Sequence, residues 1–75
     1  MTYSVTYLST FTGSLVGMVE DDTDKPVTHA REDALSIAET RKEEITYIVT
    51  TETGLLAARG SMKPLTWEKM RTSEN

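Results

Sequence analysis

The sequence predicts a small α+β domain: an antiparallel sheet of four to five strands with one helix packed on one face, in the order β-β-(β)-α-β-β. Three observations carry this. Tyr3, Val5 and Tyr7 alternate with Ser4 and Thr6, the period of a half-buried strand. Ala30, Ala34 and Ala38 recur four residues apart, the spacing of one helix face. Ile45 to Thr53 is a β-branched and aromatic run that Gly54 closes, which marks a strand in the middle of a sheet.

The first strand spans Thr2 to Ser9, and Thr10-Phe11-Thr12-Gly13 turns the chain, Gly13 being free to adopt positive φ. A second strand follows from Ser14 to Glu20, with Gly17 marking a bulge or a close backbone approach. Asp21 to Pro26 reverses the chain again, and Val27 to His29 is the short optional strand, which the proline restricts to an edge. The helix is expected over Ala30 to Glu44, capped by Thr28. Glu32 and Asp33 in its first turn and Arg41 and Lys42 near its end match the helix dipole. Its small apolar side carries Ala30, Ala34, Ile37 and Ala38, with Arg41 and Ile45 in the same direction and Leu35 at the border. Leu55 to Arg59 returns beside the Ile45 strand as a hairpin, and Gly60 closes it, although Leu-Leu-Ala-Ala also suits a helix. Beyond Pro64, Thr66 caps a short turn through Trp67 and Met70. The domain is taken as residues 1–71, with 72–75 as a frayed tail.

A chain of 75 residues holds one core and buries only about 60% of its unfolded surface. Disulfides are excluded because there is no Cys, and with a single His the common zinc ligand sets are excluded too. No metal or other cofactor is expected. Eight Lys and Arg against twelve Asp and Glu leave a net charge of −4, which disfavours phosphate backbones and anionic membranes and favours a basic protein surface. The opening MTYSVTYLS shows neither a basic n-region nor an apolar h-region, and no apolar run approaches a membrane span, so a cytoplasmic location is expected.

The residues that carry chemistry elsewhere lack their context here. His29 has no second imidazole, and its place before the helix suits a strand-end or capping role. Glu20, Asp21, Asp22 and Asp24 cluster, but without the glycine and bidentate glutamate of a calcium loop they read as a solvated acidic turn. Gly13 and Gly17 lack the further glycines or Lys-Ser/Thr of a phosphate loop. The tyrosines read as core residues, because stacked bases would bring phosphate to an acidic chain. No catalytic residue is assigned, and the chain is not expected to be an enzyme.

What remains points to protein binding. On the helical wheel Glu32, Ser36, Glu39 and Glu43 lie opposite the alanines and form an acidic stripe, either solvated surface or a docking face for Lys and Arg. Asp21, Asp22 and Asp24 extend that field. Trp67 is either a lid on the small core or an apolar anchor, since Trp is the type most enriched at interface hot spots.

The order of elements, with a helix HAREDALSIAET followed by ITYIVTTETGLLAARG, resembles the compact α+β plan of small phage-encoded inhibitors, among them some anti-CRISPR proteins and a phage inhibitor of host RNA polymerase. The resemblance covers most of the chain and is architectural; no motif or functional residue transfers with it. It implies a short acidic protein that occupies a basic, nucleic-acid-binding surface of a larger host complex. Glu32, Glu39, Glu43, Asp21, Asp22, Asp24 and Trp67 would then be the partner-binding residues. The alternative is a structural or homodimeric interaction module.

Overall fold

The computed structural model describes residues 2–67. They form β1 (Tyr3–Ser9), β2 (Leu15–Asp21), α1 (Pro26–Arg41), β3 (Ile45–Thr51) and β4 (Leu56–Met62). The strands make one sheet in the order β2-β1-β3-β4, every neighbouring pair antiparallel. The long run at Ile45 is thus an interior strand, as its composition predicts. The α+β class holds, with four strands and one main helix.

Alternation decides which side of the sheet meets the helix. Val5 pairs with Val49, Tyr7 with Tyr47 and Ser9 with Ile45, and all six are buried on the helix side. Ala30, Ala34 and Ala38 meet them from α1 with no exposure, completing the core. Alanine at three successive turns removes the bulk that would hold helix and sheet apart. The helix lies chiefly over β3 and β4, touches β1 less, and leaves β2 at its flank. Each hairpin contains one irregularity: Tyr7 pairs with Gly17 but Leu8 with Leu15, and Val49 pairs with Ala58 but Thr50 with Leu56. Val16 and Ala57 are therefore the extra residues of two bulges, which sharpen the local twist.

Several boundaries differ from expectation. Val27 to His29 forms no strand, because α1 already begins at Pro26. Proline suits the first helical position, where its fixed φ is helical and its missing N–H would have no partner. Lys25, not Thr28, is the N-cap, without a side-chain cap, and Glu32 and Asp33 fall beyond the first turn. At the other end Lys42 turns left-handed (φ 59°, ψ 43°) and its N–H closes the helix on the Ala38 carbonyl at 2.7 Å. Glu43 and Glu44 therefore lie outside the helix, Arg41 is exposed, and Ile45 reaches the core from β3. Gly60 does not close β4; it lies inside the strand, opposite Tyr47.

Residues 65–67 take helical conformation after the buried Pro64, with the Trp67 N–H on the Pro64 carbonyl at 3.0 Å. Met70 and the expected tail 72–75 lie outside the described residues. No helix among the described residues is long and apolar enough to cross a membrane.

Candidate docking cleft

Five of the seven expected binding residues fall into two groups at opposite ends of the sheet, and Glu32 and Glu39 lie on α1. Asp21, Asp22 and Asp24 stand where β2 ends and α1 begins. Glu43 and Trp67 stand beside the β1–β2 hairpin tip and the end of α1. The stripe of Glu32, Glu39 and Glu43 is not one face, because the helix stops before Glu43.

At the first end Asp21 is committed internally. Its carboxylate accepts the Thr23 N–H at 2.8 Å and hydroxyl at 2.5 Å, and pairs with His29 Nδ1 at 2.8 Å. These bonds hold the Asp21 carboxyl below its usual range, Thr23 contributing most, and the Asp21 hydrogen bond raises the His29 pKa. His29 thus braces the β2–α1 connection from inside α1, not as the strand-end or capping residue expected before the helix. Asp22, Asp24 and Glu32 are exposed.

In the last turn of the helix Glu39 accepts the Leu65 N–H and the Thr66 hydroxyl, the latter at 3.4 Å. This glutamate positions the segment that carries Trp67. Glu43 is similarly engaged: Oε1 accepts the hydroxyl of buried Ser9 at 2.5 Å, and Oε2 accepts Arg41 Nε at 2.7 Å. Both interactions hold its carboxyl below the usual range, Ser9 first. Two of the three helical glutamates expected to meet a partner are therefore part of the scaffold.

What the scaffold holds is a cleft of about 410 Å³ lined by Thr10, Phe11, Glu43, Glu44 and Trp67. Phe11, at the hairpin tip, is 95% exposed. Its loop is closely tied. Ser9 N–H meets the Ser14 carbonyl at 2.9 Å, and Gly13 N–H meets the Ser9 carbonyl at 2.7 Å, with Gly13 at φ 76°. Thr10 N–H reaches the Glu44 carbonyl at 3.1 Å, and the Thr10 and Thr46 hydroxyls bond at 2.6 Å. The loop therefore presents Phe11 outward from a backbone bonded on both sides. Trp67, 38% exposed, lines the cleft and is not among the hydrophobic side chains packed against the core, so the lid reading gains no support.

The structure thus joins Glu43 and Trp67, and adds Phe11, Thr10 and Glu44, which the sequence reading missed. The available signal was the position of Phe11, the chain's only phenylalanine, in a turn of threonine and glycine. Among the described residues, no three His, Asp or Glu side chains converge to hold a metal ion. Comparison with protein families, characterised proteins and solved structures finds no match to this chain.

Proposed function

We propose that this chain is a non-catalytic acidic binding protein that docks on a basic surface of a larger partner and occludes it, in the manner of small phage or mobile-element inhibitors such as the anti-CRISPR proteins. The observation that supports this is the cleft at the hairpin end, a mostly apolar concavity lined by Phe11 and Trp67 together with Thr10, Glu43 and Glu44. An aromatic 95% exposed on a tied loop buries nothing in its own chain, and aromatics of this kind dominate interface energetics. The negative wall and the net charge of −4 select a partner of positive sign and speed its approach. Asp22 and Asp24, at the far end of β2, and Glu32, on α1 toward Met62 of β4, extend the field without sharing the cleft.

The test is affinity purification of the tagged chain from its native host, in parallel with a Phe11→Ala/Glu44→Lys variant. A basic, nucleic-acid-binding partner retained by the wild type and lost by the variant supports the reading. An identical partner set from both overturns it.

A second reading, a homodimeric structural module, is favoured by the sheet face that no helix among the described residues covers. Leu8, Leu15, Met18, Ile48 and Leu56 share that face with Thr6, Thr46 and Thr50, and Leu15, Met18 and Leu56 are more than half exposed. Light scattering at high micromolar concentration separates the readings: a monomer removes the dimer.

A further inference from the structure

Resting on the docking reading, we infer that the cleft between Phe11 and Trp67 seats one arginine side chain of the protein partner, with Glu44 as its counter-ion. Size is the first argument. A volume of about 410 Å³, near the low end of small-ligand sites of about 300–1,000 Å³, admits an arginine side chain with room to spare.

Wall chemistry selects the occupant. Glu43 and Glu44 repel phosphate and carboxylate groups. A neutral apolar occupant would match the mostly apolar lining but leave the Glu44 charge without a counter-ion. A cation satisfies both kinds of wall, because it is attracted to the faces of aromatic rings and to carboxylates alike. Guanidinium matches better than ammonium: it is planar and weakly hydrated, stacks on rings, and presents a fork of donors to a carboxylate.

The hydrogen bonds assign the counter-ion. Glu43 Oε1 is taken by Ser9 and Oε2 by Arg41, so the negative charge of Glu43 is already partly neutralised. Glu44 makes no side-chain hydrogen bond among the described residues; its backbone carbonyl, by accepting the Thr10 N–H, fixes it beside the hairpin. The incoming cation therefore pairs with Glu44. Arg41, bonded to Glu43 Oε2, is a like charge beside the cleft and opposes it, which sets the sign of a further variant: Arg41→Gln removes a competing cation and frees Glu43 Oε2.

Trp67 is the chain's only tryptophan, so its fluorescence reports on the cleft. The experiment titrates the full chain at constant ionic strength with N-acetyl-argininamide, and with N-acetyl-norleucinamide as the neutral counterpart. The expected result is a saturable change with the arginine compound and none with the norleucine compound. Phe11→Ala and Glu44→Gln should each weaken binding about fivefold, and Arg41→Gln should strengthen it. Phe11 is outside the core and Glu44→Gln is isosteric, and unchanged melting temperatures show that both variants fold. Equal responses to the two compounds, or wild-type binding in both variants, overturn the arginine seat. If that happens while Phe11→Ala/Glu44→Lys still loses the host partner, the docking reading stands and only the arginine seat falls.

Discussion

Tyr47 lies across the backbone of Gly60, its partner on the neighbouring strand, so closely that a Cβ at residue 60 would stand 2.5 Å from the tyrosine hydroxyl oxygen and 2.7 Å from Cζ. The ring is 7% exposed and packed in the core, so it has little room to withdraw. Gly60→Ala is therefore expected to destabilise the fold by about 1–3 kcal/mol, as overpacking does. A urea-unfolding cycle with Tyr47→Leu checks the mechanism: the two changes should be less than additive, because the smaller side chain vacates the contested space.

Ala34 supplies a second packing test. It is fully buried where α1 crosses the sheet. Ala34→Leu should cost about 1–3 kcal/mol, whereas Ser36→Leu, on an exposed position of the same helix, should stay within about 0.5 kcal/mol. Equal effects would contradict the close approach of helix and sheet.

Lys42 predicts a gain. A non-glycine residue in the left-handed region carries a conformational cost of about 1–2 kcal/mol, part of which glycine relieves. Lys42→Gly is expected to raise stability by about 0.5–1 kcal/mol, read from the denaturation midpoint at constant slope.

The Asp21–His29 pair makes stability depend on pH, with a sign that its partners determine. Asp21 is shifted down, so its contribution is present above the ordinary carboxylate pKa and is lost as pH falls through the depressed folded value. His29 is shifted up, so its contribution is present below the ordinary imidazole pKa and is lost as pH rises through the elevated folded value. The two overlap between about pH 4 and about pH 6.5. As pH rises above about 6.5 and through the elevated His29 value, the wild type should lose melting temperature that His29→Gln does not lose. Parallel curves for the two proteins would remove the pair as the cause.

The parts of this fold legible in the sequence are those governed by local period. Val5 and Tyr7 alternate, Ala30, Ala34 and Ala38 recur by turns, and both signals point to the core that the structure contains. The errors arose where one residue serves two structures. Pro26 is compatible with an edge strand and with a helix start, and only the structure decides between them. Extending the wheel to Glu43 required the helix to pass Lys42, whose left-handed conformation has no signature in its side chain. Glu39 and Glu43 looked like free surface charge because their partners, Leu65, Thr66 and Ser9, are distant in sequence. The same distance hid the cleft: Phe11, Glu44 and Trp67 come together only through the β1–β3 pairing and the turn after Pro64.

Amide-resolved NMR of the full chain during titration with a short arginine-rich peptide tests the docking claim most directly. The cleft predicts that the largest shifts fall on Thr10, Phe11, Glu44 and the Trp67 indole, with smaller ones at Glu43 and Arg41. Shifts confined to Asp22, Asp24 and Glu32, or spread over the uncovered sheet face at Leu15, Met18 and Ile48, would contradict it.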